Sequence, residues 1–236
     1  MILAERAGPG KAFLNTNSFG ISKNFRISLT SGLVRLATVT RAGEKLLSGI
    51  ELKCSRFDCD PNQQLFTAAG PGVIKFKNSK VPDRKKKLSG FSFRKTCWAF
   101  VEDFNNLRYF AESNRVIADA GTDKLLMRYI PIINSEFGEV VEARAGFVEA
   151  LLYHTATGQV ELSTLTAEKG ITYEDEENEF LGSRLFYDNK KLKMTIDGDQ
   201  SQPCYLNGAL VDDIEHDLKT GKVKARVVGP GAYRLK

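Results

Sequence analysis

The 236-residue chain is poor in the side chains that most enzyme chemistry requires. It holds two histidines, His154 and His216, and one tryptophan, Trp98. No serine sits in a nucleophile-elbow pattern, no HExxH pair offers zinc ligands, and no Walker loop offers a phosphate cradle. The recognisable hydrolase, metalloprotease and nucleotide-binding patterns are therefore missing. Acidic residues are plentiful, but carboxylate pairs on strands occur throughout β proteins and define no glycosidase. The four cysteines, Cys54, Cys59, Cys97 and Cys204, form no CxxC pair, which removes the usual zinc spacing. On one straight strand Cys54 and Cys59 would lie roughly 16 Å apart, beyond the Cα separation of about 7 Å that a disulfide tolerates. Four buried thiols are expected, with no metal, no cofactor and no catalytic constellation: the chain reads as a non-enzyme.

Long apolar runs are also missing. None approaches the ~18 residues of a helical membrane span. Met1 to Arg6 lacks the basic segment and apolar stretch of a signal peptide. The charge excess is small, 34 basic against 29 acidic residues, and it is well mixed. That pattern indicates a solvated surface and gives no ground for a nucleic-acid partner. With 42% apolar residues the chain can still build one sizeable core.

What the chain has in abundance is alternation. Phe180 to Lys236 reads as two β-hairpins in succession. In Lys191-Leu192-Lys193-Met194-Thr195-Ile196-Asp197 apolar residues alternate with polar ones, and Lys222-Val223-Lys224-Ala225-Arg226-Val227 repeats the pattern. Period 2 marks a strand with one dry and one wet face. Tyr187-Asp188-Asn189-Lys190 is the turn before the first run. His216-Asp217-Leu218-Lys219-Thr220-Gly221 is the turn before the second. Weaker copies lie upstream, at Phe25 to Leu29, Leu33 to Val39, Leu47 to Phe57, and Val160, Leu162 and Thr164 after the Tyr153 to Gly158 turn. Between them lie the aromatic stretches Trp98-Ala99-Phe100 and Leu107-Arg108-Tyr109-Phe110, joined by an expected turn at Asn105-Asn106. Pro131 marks an edge or bulge in Leu125 to Asn134.

Gly-Pro-Gly occurs three times, at Gly8-Pro9-Gly10, Gly70-Pro71-Gly72 and Gly229-Pro230-Gly231, and each time a short strand pattern follows. A phosphate loop would lead into a helix, so these read as sharp turns between strands. The first copy closes a repeat whose beginning is absent, so Met1 is taken to open a fragment of a longer protein. Arg84-Lys85-Lys86-Lys87 and Glu174-Asp175-Glu176-Glu177 read as solvated loops.

At Phe180-Leu181-Gly182-Ser183-Arg184-Leu185-Phe186-Tyr187-Asp188, and again at Asp212 to Gly221, the chain resembles the OstA-like (organic solvent tolerance) family, the LptA family of lipopolysaccharide-transport domains. The resemblance is clear over the last 90 residues or so, weaker over Ser48 to Gly72, and poor over residues 78–138. It implies one all-β domain over residues 1–236, an antiparallel repeated-hairpin β-jellyroll: a folded-over sheet, open at both ends, shielding acyl chains in an apolar groove. It also implies the periplasm or cell envelope of a Gram-negative-type bacterium. The partners it implies are a lipopolysaccharide-like glycolipid and edge-to-edge β-augmentation with itself or related transport domains. On this reading Val160, Leu162, Leu192, Met194, Ile196, Val223, Ala225 and Val227 face inward and line the groove. Lys11, Lys75, Arg234 and Lys236, which follow the glycine corners, stand at sheet ends where lipid phosphates would sit. Two other classes remain open: a structural or interaction module that uses exposed edge strands, and a carbohydrate-active β-protein. Groove aromatics beside carboxylates would favour the carbohydrate reading; an aliphatic lining would favour lipid.

Overall fold

A strand with one apolar face must bury it. In the computed structural model the chain does so by building a continuous antiparallel sheet and folding it over on itself. Residues 2–5, 11–15, 18–21, 27–42, 44–79, 96–154 and 160–227 are described. The Gly8 and Gly229 corners, the Arg84 to Lys87 loop, the turn at 155–159, Arg234 and Lys236 lie outside them.

The strands are β1 (Ile2–Glu5), β2 (Lys11–Asn15), β3 (Ser18–Ile21), β4 (Ile27–Ala42), β5 (Lys45–Asp60), β6 (Leu65–Asn78), β7 (Cys97–Phe110), β8 (Arg115–Asp119) and β9 (Leu125–Ile133). They continue as β10 (Glu136–Phe137), β11 (Val141–Ala145), β12 (Phe147–His154), β13 (Val160–Glu174), β14 (Glu179–Asp188), β15 (Lys193–Asp197), β16 (Cys204–Leu206), β17 (Ala209–Val211), β18 (Asp213–Asp217) and β19 (Lys222–Arg226). The long strands β4, β5, β6, β7, β13 and β14 each contribute one half to each of two layers. The first layer is completed by β9, β11, β16 and β17. The second is completed by β8, β12, β15, β18 and β19.

The fold line is written in the ladders. Pairing slips between Thr30 and Val34, Lys53 and Arg56, Ala69 and Gly72, and Glu168 and Ile171. Such bulges bend a strand and re-aim its side chains. Lys169 and Gly170 both take positive φ there, 65° and 80°. Gly70-Pro71-Gly72 is therefore a bend inside β6, not the turn between strands that the sequence suggested. A Cβ on Gly70 would stand 1.8 Å from the Phe104 carbonyl oxygen, and one on Gly72 2.1 Å from the Phe104 ring. The chains approach so closely here that only glycine fits.

The repeated turns share one device. The carboxylates of Asp60, Asp175, Asp188, Asp199 and Asp217 each accept the backbone N–H groups two and three residues further on. This Asx-turn replaces part of the ladder that the strand loses at its end. The aspartates seen in the sequence repeat thus have a structural role. Their histidine neighbour does not share it: His216 lies in β18, buried, rather than in the turn. Leu192 lies in the turn before β15, at φ 56°, with its side chain still buried. Asn105 and Asn106 also depart from expectation. They continue β7, where Asn106 pairs with Ala69 and Asp119 and the Asn105 side chain donates to the Ala120 carbonyl.

Candidate functional site

Strand register lines up the inward residues in rows that cross the sheet. In the first layer one row runs Leu36, Leu52, Ile74, Val101, Met127, Ala143, Tyr173, Phe180, Leu206. The row beside it runs Thr38, Ile50, Phe76, Ala99, Tyr129, Val141. In the second layer one row runs Ile27, Cys59, Phe66, Tyr109, Val116, Ala150, Leu165, Tyr187, Met194, His216, Val223. Its neighbour runs Leu29, Phe57, Ala68, Leu107, Ala118, Val148, Ala167, Leu185, Ile196, Ile214, Ala225. None of the four rows contains an acidic residue, a lysine or an arginine.

The two ends of this interior differ. Near the fold line it is dry throughout, as at Val34, Cys54, Ala68, Phe104 and Val148. Burial holds the Cys54 thiol up to about 11 there and the Cys97 thiol, at the first layer's end away from the fold line, up to about 12. All four cysteines are free. Away from the fold line, strands β13 to β18 are buried at Phe180, Tyr187, Met194 and His216, while Leu162, Leu165 and Leu206 on the same strands stay partly buried. In strands β4 to β9 the equivalent positions Leu36, Leu52, Ile74, Val101 and Met127 are only half-buried, and so are Ile27, Phe57, Phe66 and Tyr109 opposite them. The first set is aliphatic. On the second wall Phe57, Phe66 and Tyr109 form a ring ladder with centroids 6.1 and 5.8 Å apart. The result is an apolar interior, uncharged along its inward rows, whose β4 to β9 walls are half-buried at these positions, although Tyr129 and Cys97 further along the first layer are buried.

Aromatic volume closes the far end. Tyr173 stacks on Phe180 at 5.0 Å, and Phe180 meets His216 of the opposite layer edge-on at 5.8 Å. Burial lowers the His216 pKa despite the nearby carboxylates of Asp175, Asp217 and Glu177. Its Nδ1 has no hydrogen-bond partner. Beside it the Tyr187 hydroxyl donates to buried Asn189 at 2.7 Å, and the Asn189 amide donates to the Leu162 carbonyl at 2.7 Å. Two polar groups are thereby satisfied inside the closed end.

The residues predicted to line a groove divide accordingly. Leu192, Met194 and Ile196 point inward but lie in the closed end, where they are fully packed. Leu162, Val223 and Ala225 are half-buried against the core, and Val160 is half-buried. Val227 does not point inward. It follows the last residue of β19 and is 62% exposed, because the strand ends before the alternation does. The predicted outward residues Lys191, Lys222, Lys224 and Arg226 are exposed, and half-buried Lys193 pairs with Glu215 at 3.0 Å. Lys75 is not at a sheet end: it lies within β6, on the outer face of the first layer. The Lys11 side chain, Arg234 and Lys236 lie outside the described residues. The half-open walls at Leu36, Leu52, Ile74 and Val101 were not singled out from the sequence, although alternation in Leu33 to Val39 and Val73 to Phe76 marked their strands.

No family model and no curated protein matches the chain. Among solved structures, LptH, the LptA homologous periplasmic component of the conserved lipopolysaccharide transport device from Pseudomonas aeruginosa, is similar with a TM-score of 0.27 at 9% identity, over 93% of this chain and 95% of that one. The functional reading therefore rests on the interior itself.

Proposed function

We propose that the half-open interior between β4 and β9 holds the acyl chains of an envelope lipid, a lipopolysaccharide-like glycolipid, and that the chain carries this lipid without changing it chemically. The observation that supports this reading is the set of uncharged inward rows left half-buried: an aliphatic wall at Leu36, Leu52, Ile74 and Val101 facing Phe57, Phe66 and Tyr109. Apolar side chains left partly exposed along inward rows can take up an apolar partner. Each methylene that it takes from water is worth about 0.8 kcal/mol, so binding needs no reactive group. The wall also argues against a carbohydrate ligand, since no carboxylate accompanies its aromatic rings on the inward rows. The sequence resemblance to the OstA-like family points to the same cargo and to the periplasm. Val160, Leu162, Val223 and Ala225, partly buried on β13 and β19, would line a separate, smaller stretch of the interior. Lys11, Arg234 and Lys236 are the proposed contacts to headgroup phosphates.

A second reading has its own support. Among the described residues β19 pairs only with β18, β17 only with β16, and β1 only with β2. These free edges suit β-augmentation with another copy or a related domain.

Photo-crosslinking separates the two readings. A photoreactive amino acid replaces Ile74 or Val101 inside and Lys53 outside, and the folded protein is irradiated with glycolipid. Adducts at 74 and 101 without adducts at 53 are expected. Blank results at both inward positions in folded protein would overturn the lipid reading and leave the edge-strand module in its place.

A further inference from the structure

The outer face of the first layer carries a second cluster that the groove does not use. Register places Lys77 beside Trp98 and Lys75 beside Phe100, with Arg128 on the far side of Phe100. The Lys75 ammonium lies 4.4 Å from the Trp98 ring centroid and 5.5 Å from that of Phe100. The Lys77 ammonium lies 4.8 Å from the same Trp98 ring. The two rings stack at 6.3 Å.

Two like charges over one indole are no more than roughly 9 Å apart, comparable to the Debye length of about 8 Å at physiological salt. The carboxylates of this face are already engaged. Glu102 takes Arg128 through both oxygens, at 2.8 and 2.6 Å. Glu51, the cross-strand neighbour of Lys75, holds Arg35 at 2.9 Å and Lys53 at 3.7 Å. Among the described residues neither Lys75 nor Lys77 has a carboxylate partner. The ring attraction orients both ammonium groups, but it neutralises neither. A membrane surface is typically met by a spread of about four to eight basic residues. Here two charges with no carboxylate partner among the described residues converge on the footprint of a single ring, which suits one anionic group.

We infer that Lys75 and Lys77 form a binding site for a phosphate monoester carried on a sugar, with the phosphate between the ammonium groups and the sugar ring against the edge of the Trp98–Phe100 platform. Lysine acts on phosphate as a point charge, and the aromatic platform supplies the apolar contact that a sugar face needs. The site lies outside the apolar interior, so its occupancy is independent of acyl-chain binding.

Trp98 is the sole tryptophan, so its fluorescence reports this site alone. The full chain is titrated with glucose 6-phosphate, inorganic phosphate, glucose, and vesicles of phosphatidylcholine with phosphatidic acid. The expected result is a saturable change with glucose 6-phosphate at least about tenfold tighter than with inorganic phosphate, a difference of about 1.4 kcal/mol. Glucose alone should give none. K75Q/K77Q, which leaves the rings and the inner face untouched, should weaken binding at least about tenfold with an unchanged circular dichroism spectrum. The inference is overturned by an absent response to glucose 6-phosphate, by an equal response in K75Q/K77Q, or by equal affinity for inorganic phosphate. A response to the phosphatidic acid vesicles alone would overturn it too, in favour of a lipid surface.

Discussion

Placing a lysine inside each end of the fold tests whether one end is open. Ile196 has no exposed surface and lies between Leu185 and Ile214 in register. Replacing it with lysine removes the burial of a full aliphatic side chain, worth about 1.5–3 kcal/mol. The ammonium group has no buried partner there. Deprotonating it at pH 7, against an ordinary pKa near 10.4, costs up to about 4.6 kcal/mol at about 1.36 per pH unit. The total is about 6 kcal/mol, comparable to the whole stability of many domains at about 5–15 kcal/mol. Ile74 lies on the half-open wall between Leu52 and Val101. A lysine there lays its stem along the wall and carries its charge out to water. Only part of the apolar burial is lost, about 1 kcal/mol. With a urea slope of about 3 kcal/mol/M, the midpoint should fall by about 2 M for Ile196→Lys and about 0.3 M for Ile74→Lys. Near pH 10 most of the charge contribution disappears, and the Ile196→Lys midpoint should recover accordingly. In a displacement assay with a fluorescent fatty-acid probe, Ile74→Lys should lose acyl binding while remaining folded. Equal destabilisation by the two substitutions would show that the β4 to β9 interior is as closed as the rest, and the groove would be refuted.

Two further outcomes are expected. Gly70→Ala drives a Cβ to 1.8 Å from the Phe104 backbone carbonyl, which cannot swing aside as a side chain would; a loss of about 3 kcal/mol or more in urea unfolding should follow, and a loss below about 1 kcal/mol would contradict the geometry of the bend. Acid should weaken the fold in two steps. The His216 pKa is lowered from 6.5 by burial, so the unfolded chain takes up its proton first and stability falls as pH drops below about 6.5. The Asp188 and Asp217 carboxylates, held by their turn N–H groups, and that of Asp199, held first by the Ser201 hydroxyl and then by its turn N–H groups, are lowered from 3.8, so their contribution is intact above that value and is lost only below it. Urea midpoints between pH 7 and 2 should show both steps, and His216→Phe should remove the first alone. Asp175, Asp217 and Glu177, which favour the proton on His216, would have to dominate for the first step to be absent.

Much of this architecture was legible because β side chains alternate with a fixed period. Met194 and Ile196 face inward, and Lys191, Lys222 and Lys224 outward, as the pattern requires. Period 2 says nothing, however, about where pairing stops. Val223 and Ala225 still have β18 beside them, but Val227 has passed the last ladder residue and stands in water. Local turn chemistry misled where tertiary pairing was stronger. Asn105-Asn106 has the composition of a turn, yet β6 and β8 hold it as strand. His216 shares a turn-like segment with Asp217, but only the aspartate caps the turn, while the imidazole is buried against Phe180. Gly-Pro-Gly suggests a turn between strands because the contact that demands glycine, the approach of Phe104, comes from a strand more than thirty residues away. Depth of burial was not legible for the same reason: Leu52 and Ile196 look alike in sequence, and only the opposite layer distinguishes them.

The division into a closed and a half-open end follows from side-chain volume along rows of the same register. Towards the closed end Tyr173 stacks on Phe180 in the first layer, and Phe180 meets His216 of the second edge-on, which locks one layer to the other. Over β4 to β9 the first layer offers Leu36, Leu52, Ile74, Val101 and Met127, which leave their counterparts half-buried. The rings on that second wall stack along the wall, Phe57 on Phe66 and Phe66 on Tyr109, rather than across the gap. A sheet whose fold line and one end are dry has most of its cohesion there, so the remaining walls can stay open without unfolding. This separation makes a reciprocal prediction. Replacing Ile74 with phenylalanine should fill the gap, raise the urea midpoint and weaken acyl binding, because volume that joins the two walls excludes a chain from between them. Tighter acyl binding in Ile74→Phe, or a lower urea midpoint, would show that the half-burial of this wall has a cause other than missing volume.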